Sequence, residues 1–531
     1  MTRKPKQKSI FALARQAPAA LVCIALAAPA GWALAAGSVT APAVGGLPSL
    51  GDAGAMTTLQ ERKLGDVIAA DLYRDPTYLD DPILGEYVDG IWRALLAGAR
   101  ARGELSAELD DRYAWQILVG RDSAINAFSL PGGYFGLNTG LLGAVGSRDE
   151  LASVLGHEMA HVAQRHIARM LGKQERETPL MLASIILGAI TAGRNPQAGA
   201  ALAVGGQAAL IQRQINFTRD MEREADRIGY GIMTQAGFAP EGFVSMFEKL
   251  QAASRINDNG DWPYLRSHPL TTERIAEMQQ RQQNLPKHAE PPPDLEALMI
   301  AARARVLGRP GVDVLRSWAS EPNQSGFASQ PLARRAGLLY AAAMAEAELR
   351  DLPHAQGRAT QLALAVAGDL RAARQARLLQ AELALRAGQP ARALELLATV
   401  ERPAGAAAQS QAGRAALLLR AQAQTVSGQA SQAASALQPW LSDHPRDAGA
   451  WQALAQAWAA QGQTLRQLRA EGEVQLARMD YAGAVNRWRA AQDFSRKQPD
   501  ADLIEASIID TRLREGRELL RKQQKDEKEF E

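Results

Sequence analysis

Apolar and polar positions along the chain fall into two regimes. From Thr57 the spacing is helical: "TTLQERKLGDVIAADLYRD" puts Leu59, Leu64, Val67 and Ile68 near one face, and residues 80–103 give another helix. "YAWQILVG", 113–120, alternates and predicts a strand. "NAFSLPGGYFGLNTGLL", 126–142, predicts a strand, a Pro-Gly-Gly turn and a second strand. Helical spacing returns around "VLGHEMAHVAQRH", 154–166, and again in "RDMEREADRIGYGIM", 219–233. Between these two helices, residues 179–211 are apolar except for an "RNPQ" interruption, and each piece is too short to span a bilayer. A buried helical hairpin is the expectation there. The alternative is a cover over a site, or a surface that touches membrane or substrate.

The second regime begins after "LPKHAEPPPDLEALM", 285–299, whose proline run reads as a linker. Beyond it the pattern is helical and it repeats. In "WQALAQAWAAQG", 451–462, Trp451, Leu454, Ala455, Trp458 and Gly462 have the spacing of the first helix of a tetratricopeptide repeat. Gly428 precedes Gly462 by one such period of 34 residues, with Ala433 and Pro445 at the matching later places. Tyr481, Ala484, Trp488 and Ala491 match the second half of the next repeat, and 381–397 is a weaker copy. A helix pair cannot bury its apolar face alone, so several stack into a solenoid with a concave surface. Low aromatic content (5%) and abundant Ala favour closely packed helices over sheets. The expected fold is therefore mainly α: an α+β domain with a small sheet over 57–290, then an α-solenoid over 291–531.

The first 36 residues read as a cleavable export signal, the alternative being an uncleaved membrane anchor. Arg3, Lys4, Lys6, Lys8 and Arg15 precede an apolar run, and Ala33-Leu34-Ala35 suits a peptidase. Residues 37–56, rich in Gly, Pro and Ala, read as a flexible leader. Losing the five basic residues takes the formal net charge from +3 to −2, which argues against nucleic acid as a partner. The single cysteine, Cys23, lies inside the signal, and Val22 before it is too large for a lipoprotein signal. The mature chain then has no disulfide. The expected compartment is the bacterial periplasm.

Chemistry enters at His157-Glu158-Met159-Ala160-His161. Residues four apart on a helix face the same way, so His157 and His161 can offer two imidazoles to one metal ion, with Glu158 placed as a base. Only seven His occur in the chain, so composition alone does not produce this motif. Catalytic zinc usually takes three protein ligands. His166 is nine residues after His157, where the extended three-His motif needs ten; Ile167 and Gln164 hold that motif's other places. It reads as a polar residue on the same helix. The better source is 219–233: Glu222 and Asp226 share a face, and Glu224 points elsewhere. One of the two carboxylates can ligate, and the other can accept a hydrogen bond from a ligand His.

The motifs "NAFSLPGGYFGLNTGLL", "LGHEMAHVAQRH", "NFTRDMEREADRIG" and "RSHPLTTERI", followed by tetratricopeptide repeats, resemble the zinc metallopeptidases that include the prenyl-protein (CAAX) endopeptidases and HtpX. The resemblance implies a gluzincin-type domain binding one Zn2+ per chain. His157, His161 and Glu222 would be the ligands, Glu158 the acid/base, and Asp226 the partner of a ligand. His268 would lie near the metal and cap it in a latent state. The resemblance also implies a part in assembly and quality control of outer-membrane β-barrel proteins. Partners would be those barrels, their assembly machinery and stalled or unfolded chains. Strand addition along Asn126, Ala127 and Phe128 would align an extended substrate. The competing expectation is a tetratricopeptide chaperone or scaffold with a latent protease domain.

Overall fold

The computed structural model describes residues 56–172, 219–255, 264–265, 268–283, 293–400, 413–498 and 502–530. The predicted export signal, the leader up to residue 55 and the apolar stretch 179–211 lie outside the described residues.

Three helices come first: α1 (Thr58–Arg74), α2 (Pro82–Ala101) and α3 (Ala107–Arg112). Each starts at a residue that caps free backbone N–H groups. Thr57 forms a full capping box with Gln60, Asp81 accepts from Leu84 N ahead of Pro82, and Ser106 accepts from Leu109 N. A three-stranded sheet follows, β1 (Gln116–Gly120), β2 (Ala127–Leu130) and β3 (Tyr134–Asn138), in the order β1-β3-β2. β1 runs parallel to β3, while β2 and β3 form the expected hairpin around Gly132 and Gly133, both at positive φ. The second strand stops at Asn138. Residues Thr139–Ala144, expected to continue it, form a short helix, α4.

Helix α5 (Arg148–Ala163) runs through the middle of this domain, and every residue from Glu150 to Ala163 is buried. Its N-terminus is held by Ser147, which accepts from Glu150 N, and by buried Glu150, which Lys249 Nζ meets at 2.6 Å. Around it lie α6 (His166–Gly172), α7 (Arg219–Gln235), α8 (Glu241–Arg255) and α9 (Thr272–Gln283). α7, α8 and β2 pack directly on α5.

The remaining helices form the repeat region: α10 (Leu295–Leu307), α11 (Val312–Ser320), α12 (Leu332–Glu348), α13 (Leu352–Ala365), α14 (Leu370–Arg386), α15 (Pro390–Ala398), α16 (Arg414–Val426), α17 (Ala430–Asp443), α18 (Ala448–Ala460), α19 (Thr464–Ala477), α20 (Tyr481–Arg496) and α21 (Leu503–Phe530). From α12 onward each packs on the next, as a solenoid requires. Gly428 and Gly462 both take a positive φ at the turn between two helices. Leu454, Ala455, Trp458, Ala484, Trp488 and Ala491 are buried at the positions the repeat pattern assigned.

The two regions share apolar surface. One continuous cluster joins Ile83, Val88, Ile91 and Leu95 of α2 to Leu378 and Ala381 of α14, Leu397 of α15 and Leu419 of α16. α10 packs on α4 on one side and on α12 on the other. No helix among the described residues is long and apolar enough to cross a membrane.

Candidate metal centre

The site forms where α5 and α7 cross. The crossing is set by two glycines. A Cβ on Gly229 would lie 2.8 Å from His157 N, and one on Gly156 would lie 3.1 Å from Gly229 O. Without side chains there, the backbones meet at the level of His157, and Glu222 and Asp226 on α7 come within reach of the α5 imidazoles. Gly229→Val is expected to push the helices apart and weaken metal binding more than 10-fold, the scale on which disturbed ligand placement acts. Chelator competition on the purified variant checks it, and an unchanged affinity would show that the close crossing is dispensable.

His157, His161, Glu222 and His268 each offer a ligand atom, and the four atoms lie within 4.8 Å of one another. All four residues are buried. His157 Nε2 is 2.9 Å from His161 Nε2 and 3.4 Å from Glu222 Oε2, and His268 Nδ1 is 2.9 Å from Glu222 Oε1. Imidazole nitrogens and a carboxylate oxygen converging in a dry place make a donor set suited to one ion, because a shared cation relieves their mutual crowding. Glu158 stands beside this group. Both its carboxylate oxygens are buried without a hydrogen bond, and His268 Nε2 lies 3.4 Å from Oε1.

A second layer of side chains fixes the first. His157 Nδ1 lies 2.9 Å from Asp226 Oδ1, which orients the ring and turns Nε2 inward. Arg274 on α9 clamps both acids: Nε donates to Asp226 Oδ2 at 2.6 Å, Nη2 to Asp226 Oδ1 at 2.8 Å, and Nη1 lies 2.8 Å from Glu222 Oε2. Burial pushes the Asp226 carboxyl up, but Arg274 and then His157 outweigh it and hold it below the usual carboxylate range. Glu222 follows the same logic: burial raises it, and the imidazoles of His268 and His157 bring it well below its ordinary value. Burial pushes His157 down, yet Asp226 and Glu222 raise it to about 9. His161 is driven well below its ordinary value by burial and by the neighbouring His157, which favours its neutral, metal-binding form. Tyr264 stacks on the His268 ring, with centroids 4.7 Å apart.

The model of peptidase family M48 matches residues 100–282. A beta-barrel assembly-enhancing protease of Vibrio cholerae is 33% identical over 348 residues, which cover 64% of this chain and 67% of that one. The chain belongs to peptidase family M48. Membership makes it a metallopeptidase. Other relatives include the beta-barrel assembly-enhancing protease of Yersinia pestis, 31% identical over 51% of this chain and 54% of its own. A mitochondrial metalloendopeptidase of Arabidopsis thaliana is 31% identical over 38% of this chain and 36% of its own. The chain thus spans about half or less of these two relatives' length. A tetratricopeptide repeat protein from Parabacteroides merdae, 14% identical, aligns with 51% of this chain and 98% of its own at a TM-score of 0.26, too loose a fit to carry weight.

Helical spacing groups His157, Glu158 and His161 on one helix and Glu222 and Asp226 on another, and the resemblance adds His268; the structure brings these six side chains close together. Ala127 and Phe128 open β2, an edge strand of the described sheet, which packs on α5, and Asn126 stands just before it. His166 is a correction. It does not continue α5 but opens a separate helix, and its Nδ1 lies 2.8 Å from His161 Nδ1. Arg274 escapes the sequence reading as well. It stands inside a quoted motif, "RSHPLTTERI", but it follows Thr271, Thr272 and Glu273 and looks like an ordinary polar position there.

Proposed function

We propose that this M48 chain is a zinc endopeptidase of the periplasm that serves outer-membrane β-barrel assembly and degrades barrels that stall. The buried cluster of His157, His161 and Glu222 beside Glu158, whose carboxylate oxygens make no hydrogen bond, carries the catalytic part. The relatives' names support the β-barrel part.

His157 Nε2, His161 Nε2 and a Glu222 oxygen would hold the ion. Zinc held there would supply Lewis-acid chemistry, making a water more acidic, towards about pKa 7, and polarising a scissile carbonyl. Glu158 would take a proton from the attacking water on a carboxylate oxygen and deliver it to the leaving amine. Burial keeps competing water away, so that carboxylate acts on the reacting group rather than on solvent. An extended chain would add to the free edge of β2 from Asn126 to Phe128, pairing its backbone with that of the sheet. The solenoid's concave side would present barrel precursors and their assembly machinery to this edge.

His268 gives the protein a resting state. It meets Glu222 at 2.9 Å and Glu158 at 3.4 Å, and so stands where substrate and water would enter. The turn that carries it is anchored next to the edge strand, because Tyr264 N donates to Ile125 O at 3.4 Å and His268 N donates to Tyr264 O at 2.9 Å. The same observation favours a second reading, in which the repeats act as a chaperone or scaffold and proteolysis is mostly held off.

Metal analysis and casein cleavage, with and without chelator, test the reading. One zinc per chain and chelator-sensitive cleavage are expected. His268→Ala is expected to raise basal cleavage several-fold while zinc stays bound. A protein that binds no zinc refutes the enzyme. Unchanged basal cleavage in a fully loaded His268→Ala refutes latency through that residue.

A further inference from the structure

Helix α5 does not run on into α6. It stops at Ala163, Gln164 caps it, and Arg165 takes a positive φ of 51°. In one continuous helix His166, five residues after His161, would point about 140° away from it. The break reverses this and seats the His166 ring beside the His161 ring, with centroids 4.9 Å apart. The turn is built in. Arg165 Nε donates to buried Glu61 Oε1 at 2.8 Å, and its Nη2 donates to Met56 O. A non-glycine residue in left-handed backbone stores strain, and these anchors hold it there.

His166 is itself wholly buried and has a partner on each side. Nδ1 is 2.8 Å from His161 Nδ1, and Nε2 is 3.0 Å from Glu224 Oε2. Arg169, one turn further along α6, donates to the same Glu224 oxygen at 2.8 Å. Only one arrangement of protons satisfies this line when His161 Nε2 is given to a metal. His161 Nδ1–H donates to His166 Nδ1, and His166 Nε2–H donates to Glu224.

We propose that His166 is a positioning residue for the metal, fixing the ring and tautomer of His161 just as Asp226 does for His157, with Glu224 and Arg169 holding His166 in turn. This rests on the assignment of His157, His161 and Glu222 as ligands. It also explains why Glu224 faces away from the ion, since its carboxylate serves the ring behind the second ligand.

The test uses the full chain as wild type, His161→Ala, His166→Leu, His166→Asn and Glu224→Ala. Zinc affinity is read by competition with a chromophoric chelator, ligand geometry from the visible bands of the cobalt(II)-loaded protein, and folding from the melting of the metal-free protein. Leu removes the nitrogen that faces His161 Nδ1 at 2.8 Å, and an outer-shell loss of this kind weakens zinc by about 10–100-fold. Asn places an amide oxygen near the former Nδ1 and is expected to recover most of the affinity and the wild-type cobalt spectrum. Glu224→Ala is expected to fall between the two. If His161→Ala abolishes tight binding while His166→Leu and Glu224→Ala bind as wild type, the relay is wrong and the metal site stands. If His161→Ala binds zinc as wild type does, the underlying ligand assignment is wrong. Equal losses in Leu and Asn, matched by equal drops in metal-free melting temperature, would reduce His166 to a packing residue and overturn the proposal. Should His166→Leu fail to fold, His166→Asn and Glu224→Ala decide: a lost cobalt spectrum in Asn, or unaltered zinc affinity in Glu224→Ala, overturns it.

Discussion

Glu158→Gln is expected to lower peptide hydrolysis by about 10²–10⁴-fold, the range a positioned general base contributes, while zinc remains bound. The amide has the same shape as the carboxylate and cannot take a proton. Glu158 is not among the four residues whose ligand atoms converge, so the ion keeps its partners. The substitution also costs little in folding. Both Glu158 oxygens are already buried without hydrogen bonds, and a neutral amide is cheaper to bury than a carboxylate. Steady-state cleavage of casein, metal content and melting temperature, measured on one preparation, separate the outcomes. Loss of zinc would make Glu158 a ligand. Wild-type turnover would place the base elsewhere. The same variant in the living envelope, compared with wild type for barrel protein levels, reports which substrates depend on cleavage.

What can be read along the chain is what is local. Helical period, the hairpin at Gly132-Gly133 and the i, i+4 pairing of His157 with His161 and of Glu222 with Asp226 are written in neighbouring residues. The need for a third ligand then ties two helices together across more than sixty positions of sequence, because a metal's coordination number is a long-range constraint. His166 defeats the sequence reading for a physical reason. Period reasoning assumes the helix continues, and nothing in "HVAQRHIARM" announces a non-glycine residue at positive φ. The anchor that forces the turn, Glu61, lies on α1, about a hundred residues earlier. Residues 139–142 read as strand but fold as helix because Leu141 and Leu142 are apolar in either state, and burial alone does not distinguish a strand end from a one-turn helix. The apolar continuity between the two regions is equally invisible: Leu378, Leu397 and Leu419 look like ordinary inward positions of repeats, and only the fold shows that they belong to the same cluster as Ile83 and Ile91 of α2.

Arg303→Met is expected to destabilise the whole protein by about 3–5 kcal/mol, the cost of removing one partner from a buried ion pair. Arg303 sits on α10, 1% exposed, and reaches both regions. Its Nε donates to Asp81 Oδ1 at 2.7 Å and its Nη2 to Asp81 Oδ2 at 2.5 Å, where Asp81 also caps α2 of the peptidase region. Its Nη1 donates to Glu382 Oε2 at 2.7 Å on repeat helix α14. Methionine fills the space but takes from Asp81 the cation that grips both its oxygens, while Glu382 keeps its 3.0 Å bond from Arg386. Lysine is expected to rescue only partly, because a point charge cannot replace a fork that grips two carboxylates. Burial pushes Asp81 up, but Arg303 outweighs it and holds the carboxyl below its ordinary value. A lowered folded-state value means that the unfolded chain binds protons first as pH falls. The Asp81 share of the stability is therefore complete above the usual carboxylate range, near pH 4, and is lost as pH drops through the folded value. The gap between wild type and Arg303→Met should accordingly narrow in acid. Calorimetry decides whether the shared apolar cluster makes the chain one cooperative unit. If it does, wild type melts in a single transition and Arg303→Met shifts all of it downward. Two separate transitions, with only the repeat half displaced, would show that α2 and α14–α16 touch without folding as one.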